Sequence, residues 1–164
     1  MFRLGPSLWA VAAIVVSLAN LVWSLPASGF IPNSPGFLWH PSDNTQTTCD
    51  QSTFAESTDL APASWKQCAG LYSSWTSQNG TFDLTSANAT GYMPILQTRD
   101  CALSVKPADP SKGPFTLGDG DVKTLLDTSL RQFSEGSDLR VMGMVKCAAA
   151  GGDRDEIDWR ISKP

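Results

Sequence analysis

Residues 117–133 read Leu-Gly-Asp-Gly-Asp-Val-Lys-Thr-Leu-Leu-Asp-Thr-Ser-Leu-Arg-Gln-Phe, the longest periodic signal in the chain. Val122, Leu125, Leu126, Ser129, Leu130 and Phe133 fall on one face at helical spacing, while Lys123, Asp127, Arg131 and Gln132 point away. Asp119 and Asp121 precede this face and Gly136 follows it, matching the preference for carboxylates at helix starts and glycine past helix ends. The stretch is therefore an amphipathic helix. Its polar face mixes both signs of charge and lacks the cationic richness of surface-binding helices, so core packing is the expected role and membrane contact is not supported. Truncation of Leu126 or Leu130 to Ala should cost about 2–5 kcal/mol, read from thermal or denaturant unfolding.

Downstream the period changes from helical to alternating. Leu139, Val141, Gly143, Val145 and Cys147 share one face, and Ile157, Trp159 and Ile161 share another, which predicts two strands joined by the glycine-rich, acidic loop 148–156. Upstream, Cys101, Leu103 and Val105 alternate with Ala102, Ser104 and Lys106, as in a half-buried strand. A Pro- and Gly-rich loop then covers 107–113. Extended stretches are also expected at 52–57, 80–84 and 92–97. Pro62 suits the first turn of a second helix whose buried face would carry Trp65, Cys68, Tyr72 and Trp75. Helices and strands do not alternate strictly, so the predicted fold is α+β: a compact antiparallel or mixed sheet with two covering helices.

The N-terminal end has a different character. One cation, Arg3, precedes a mostly apolar run from Leu8 to Trp23, with small residues near its end. That layout predicts a secretory signal peptide over residues 1–24, although an apolar stretch this long is also compatible with a retained anchor. Residues 25–47, with Pro26, Gly29, Pro32, Pro35, Gly36 and Pro41, read as a flexible arm, and residues 48–164 as the folded domain. His40, the sole histidine, falls in the arm and is expected to be a solvated linker residue. No Ser-His-Asp set is expected to assemble around it.

Four cysteines behind an export signal imply an oxidising, extracellular destination and two disulfides. Three connectivities are open. The nested one, Cys49 with Cys147 and Cys68 with Cys101, is preferred because it ties the start of the domain to a late strand and the first helix to the sheet. The outer loop would be worth about 4.7 kcal/mol and the inner roughly 3.8 kcal/mol in the chain-entropy model. The gaps between cysteines far exceed those of a zinc site, so no metal and no cofactor are expected.

Charge narrows the partners. Removing the leader leaves eleven basic against sixteen acidic residues, and the cations are scattered singly, which excludes a nucleic-acid ligand. Asn79-Gly80-Thr81 and Asn88-Ala89-Thr90 are N-glycosylation triplets, giving Asn79 and Asn88 as glycan acceptors. Asp119 and Asp121 could serve as a glycosidase carboxylate pair, but two residues so placed serve a helix cap and dipole more readily. Asp153, Asp155, Glu156 and Asp158 form a second acidic cluster, expected at a solvated hairpin tip.

Several of these features, taken in order, carry a resemblance: Cys49-Asp50-Gln51-Ser52-Thr53-Phe54, then Cys68 and Cys101, then Leu117-Gly118-Asp119-Gly120-Asp121-Val122 leading to Leu130-Arg131-Gln132-Phe133, then Met142-Gly143-Met144-Val145-Lys146-Cys147 before Trp159. Over about residues 47–162 the chain resembles the fungal extracellular-protein-two effector domain, a family also described as candidate necrosis-inducing factors. The resemblance implies a secreted fungal protein, involved in virulence, that meets a host or microbial target outside the cell and often provokes host cell death, without established enzymatic activity. It also suggests a looser likeness to killer-toxin-like α/β sandwiches. Two positions depart from the family pattern: Val145 stands where members often have Met, and Arg99-Asp100 replaces the usual glycine before Cys101. The expected protein is thus a non-enzymatic, secreted binding effector; a small cell-wall-directed hydrolase is the alternative.

Overall fold

The computed structural model describes residues 33–34, 36–85 and 91–164. The expected signal peptide, residues 25–32 of the arm and Asn88 lie outside the described residues. The described residues form twelve strands and two α-helices: β1 (Asn33–Ser34), β2 (Phe37–Pro41), β3 (Ala55–Glu56), β4 (Ala63–Ser64), α1 (Trp65–Trp75), β5 (Gly80–Leu84), β6 (Met93–Gln97), β7 (Ala102–Pro107), β8 (Phe115–Gly118), α2 (Asp119–Gln132), β9 (Ser134–Glu135), β10 (Asp138–Leu139), β11 (Val141–Ala149) and β12 (Arg154–Ser162). The fold is α+β and every strand pair is antiparallel.

The main sheet runs β1-β2-β5-β8-β11-β12-β7-β6, and a small sheet, β4-β10-β9, sits apart from it. The β11–β12 hairpin is its backbone, with eight facing pairs from Val141↔Ile161 to Ala148↔Arg154. Alternation puts Val141, Val145, Cys147, Ile157, Trp159 and Ile161 inward. On the helical side α2 buries Val122, Leu125, Leu126, Ser129 and Leu130, and α1 buries Cys68, Leu71 and Trp75. Burial of these faces against one another forms a single core, because an amphipathic stripe and a half-apolar sheet each need the other to leave water.

Two disulfides cross this core, Cys49–Cys147 and Cys68–Cys101, and the described residues contain no free cysteine. The first links residues facing each other across an isolated antiparallel bridge. Residues 48–57 follow one edge of β11 throughout: Asp50 N donates to Lys146 O, Thr53 N to Met144 O, and Ser57 N to Arg140 O. The second disulfide joins α1 to the turn before β7.

The structure corrects several expectations. Residues 37–41 are not part of a flexible arm: they form β2, paired along β5 from Phe37↔Leu84 to Pro41↔Gly80. Phe37 and Trp39 point inward and make an aromatic cluster with Phe82 and Trp75, at centroid distances of 4.8–5.6 Å. Burial of two aromatic rings outweighs the local cost of proline, which here falls at the strand's end. Residues 115–118, unassigned from sequence, form β8 between β5 and β11. The first helix starts at Trp65 rather than Pro62, because Ala63 and Ser64 pair with Leu139 and Asp138. Its buried face also differs, since Leu71 is enclosed while Trp65 is 40% exposed and donates its indole N–H to Leu130 O at 3.2 Å. Finally, β7 is buried on both faces, Ala102 and Ser104 as well as Leu103 and Val105, while β6 and β12 pair with its two edges.

Candidate functional site: a carboxylate clamp beside a polar groove

At the start of α2 the chain bends from β8 into the helix through Gly118. A Cβ on Gly118 would collide with Gln46 O, and one on Gly120 with the Thr47 hydroxyl, so glycine is what lets residues 46–48 lie against the helix start. Asp119, with no exposed surface, accepts at Oδ1 from Gln46 N (2.7 Å) and Gly80 N (2.9 Å), and at Oδ2 from Lys123 Nζ (2.7 Å). Asp121 accepts at Oδ2 from Thr48 N (2.8 Å) and from Gly118 N (3.0 Å), the latter capping the helix from its third position. Gly120 N in turn donates to Gln46 O at 2.8 Å.

These bonds have the logic of a sheet edge. Gln46 and Thr48, two residues apart in an extended segment, offer N–H groups in one direction, and two carboxylates spaced i and i+2 stand where a neighbouring strand's carbonyls would be. The Thr48 hydroxyl completes the arrangement, 2.7 Å from Thr116 O and 3.2 Å from Asp121 Oδ2. Lys123 Nζ also reaches Asn79 Oδ1 (3.3 Å), which accepts from Thr45 Oγ1 (3.2 Å).

The two carboxylates are tuned in opposite directions. Burial by itself pushes Asp119 up, but the N–H bonds from Gly80 and Gln46 and the Lys123 ammonium outweigh it and hold the group below the ordinary carboxylate value. For Asp121 burial is the largest effect, and with no ammonium beside it the N–H groups of Thr48 and Gly118 do not compensate, so it lies above that value.

Beside the clamp a groove of about 510 Å³ opens between residues 47–54 and the flank of α2. Thr47, Gln51 and Ser52 line one wall and Thr124, Thr128 and Gln132 the other; Cys49 and the half-buried Phe54 complete the lining. Phe54 is held from beneath by Trp159 (4.9 Å, edge to face) and Phe133 (6.0 Å, stacked). Two carboxylates border it. Asp121 is the clamp residue, and Asp50 is paired with Arg154 at 2.5 Å.

The other sequence candidates fall elsewhere. His40 is on β2, and far from lacking an orienting partner it places Nε2 3.1 Å from Asp83 Oδ2, while Asp83 Oδ1 accepts from Thr116 Oγ1 at 3.0 Å. The linker expectation fails because residue 40 belongs to the sheet, although its side chain stays 55% exposed. Asp153 is exposed in the β11–β12 turn and Asp155 pairs with Lys112, whereas Glu156 and Asp158 lie half-buried along β12. Asn79 is half-buried between α1 and β5, its Oδ1 engaged as described. Among the described residues there is no group of three or more His, Cys, Asp or Glu placed to hold a metal ion, and no helix is long and apolar enough to cross a membrane. Of the clamp residues, Lys123 was legible as the i+4 partner of Asp119. Gln46 and Thr48 carried no signal beyond their nearness to Cys49.

A disulfide-crosslinked α+β domain, with one edge segment tied down by a helix start, is the class defined by these features. A family model, Hce2, described as "pathogen effector; putative necrosis-inducing factor", matches residues 48–147. The chain belongs to this family of pathogen effectors. The matched region coincides with the span closed by the outer disulfide, Cys49 to Cys147. No curated protein matches the chain.

Proposed function

We propose that this protein is a secreted fungal effector that acts outside the producing cell by binding a host or competitor target, and that this engagement provokes necrosis. The observation that carries the reading is the coincidence of the effector-family match, residues 48–147, with the span closed by the Cys49–Cys147 disulfide. Crosslinks of this kind suit an oxidising, extracellular destination. The apolar run of residues 8–23 supplies the export signal, and Asn79 and Asn88 are the glycan acceptors.

Binding is favoured over catalysis by how the acids are used. A glycosidase needs two accessible carboxylates about 5–10 Å apart, one giving and one taking a proton or attacking. Asp119 is sealed and ion-paired, and Asp50, the other acid on the groove, is held by Arg154. Asp121 alone is left without a partner for such chemistry. Infiltration of the purified, oxidised protein into leaf tissue should produce lesions, and the reduced protein should not; pull-down from apoplastic fluid and membranes should retain a host component. Hydrolysis of chitin, glucan or pectin that disappears in Asp121→Asn would replace the binding reading with the hydrolase.

A further inference from the structure

We propose that the groove between residues 47–54 and α2 is a binding site for a neutral oligosaccharide; this rests on the reading that the protein works by binding, and names where and what it binds. Helix α2 carries two polar stripes at four-residue spacing. Lys123, Asp127 and Arg131 form the charged one, and its charges are spent within the fold, Lys123 on Asp119 (2.7 Å) and Arg131 on Asp127 (2.8 Å). Thr124, Thr128 and Gln132 form the neutral one, and it faces the groove.

The neutral groups are largely unspent. Thr124 donates back to Gly120 O at 2.9 Å and keeps only its acceptor capacity. The side chains of Thr47, Gln51, Ser52, Thr128 and Gln132 hydrogen-bond to no other described residue, although together they line one concave surface. Hydroxyls and carboxamides both donate and accept, which matches a ligand that presents many hydroxyls. The half-buried ring of Phe54, fixed by Trp159 and Phe133, offers an apolar face suited to the C–H side of a pyranose. A peptide partner would ask instead for deep apolar anchor pockets. The volume, about 510 Å³, lies in the range of small-ligand sites.

Charge decides which sugars fit. Asp121 and Asp50 border the groove, the whole chain carries a formal charge of −4, and the groove lining contains no cation. With Asp50 matched by Arg154, a polyuronate would meet the Asp121 carboxylate and no lining cation there, while a neutral hexose or N-acetylhexosamine chain carries no charge to be repelled. Both walls are also pre-set, one by the Cys49–Cys147 disulfide and the clamp, the other by the core face of α2, so little ordering cost opposes binding.

The test is NMR or calorimetric titration of the oxidised protein with chitotetraose, laminaritetraose and a xyloglucan heptasaccharide, with an oligogalacturonide as the anionic control. At least one neutral probe should bind, shifting amides of residues 47–54 and 124–132. Thr128→Val and Gln132→Ala, with unchanged melting temperatures, should each weaken it about tenfold. Absence of binding by all neutral probes at millimolar concentration, equal binding by the variants, or tighter binding of the oligogalacturonide would overturn the proposal. Lesion formation that persists without any sugar binding would overturn it while leaving the binding reading intact. Cleavage of a bound probe would overturn the binding reading itself.

Discussion

Two acidic clusters of similar composition meet opposite fates in this molecule. Asp119 and Asp121 are buried at the start of α2, and their oxygens stand in for strand carbonyls against Gln46 and Thr48. Asp153, in the turn of the β11–β12 hairpin, faces water, and Asp155, at the start of β12, has one local backbone N–H, from Glu156 at 2.8 Å, and a surface lysine, Lys112. The difference teaches that the worth of a carboxylate here is set by the donors around it. A buried acid surrounded by backbone N–H groups and an ammonium fixes the path of a chain segment, whereas an exposed ion pair gains little over hydration.

The harshest way to break the comparison is to free the segment that the clamp holds. Paired replacement of Cys49 and Cys147 by Ala removes the crosslink next to Thr48 and should cost up to about 4.7 kcal/mol by chain entropy, read as a shift in the denaturant midpoint. If the clamp alone holds residues 46–49, their amides should stay protected from hydrogen exchange in this variant. Asp119→Ala comes next. It strands two backbone N–H groups and Lys123, and should destabilise by about 3–5 kcal/mol in equilibrium unfolding. A near-neutral result would show that water replaces the carboxylate without loss.

Acid titration separates the two clamp residues by sign. Asp119 lies below its ordinary value of 3.8, so the folded state holds fewer protons than the unfolded one; its contribution is complete above that value and is lost as pH falls through and below it. Asp121 lies above the same value, so the folded state takes up a proton more readily, and acidification between the ordinary and the raised value favours folding. Stability measured against pH should therefore lose less on the acid side in Asp119→Asn than in the wild type, and lose more in Asp121→Asn. Matching profiles for the two variants would refute the assignment. At the small end, Asp153→Asn should leave the unfolding midpoint unchanged within error.

Where period and punctuation agreed, the sequence was readable. The α2 stripe of Val122, Leu125, Leu126 and Leu130, its acidic start, and the alternation of Val145, Cys147, Ile157, Trp159 and Ile161 each follow from a local repeat that burial then uses. Elements whose reason lies far away were not readable. Phe37–Pro41 looks like linker because Pro35, Gly36 and Pro41 around it speak locally, while the surface that Phe37 and Trp39 cover is supplied by Phe82 and Trp75, about forty residues on. Phe115–Gly118 is four residues long and gains strand character only by lying between β5 and β11. His40 was dismissed for want of a partner that sequence distance concealed, Asp83.

The groove shows the same division. Its helical wall, Thr124, Thr128 and Gln132, was present in the sequence as a four-residue repeat, but nothing in the chain said what would face it. By itself the sequence determined the α+β class, the positions of the long amphipathic helix and the closing hairpin, and the resemblance to an effector family, because local periodicity, cysteine count and motif order are one-dimensional properties. Only the tertiary structure decided that two aspartates at a helix start would act as a substitute strand, and that a neutral groove would open beside them. Hydrogen-bond partners 73 residues apart meet through packing, and no local pattern encodes that meeting.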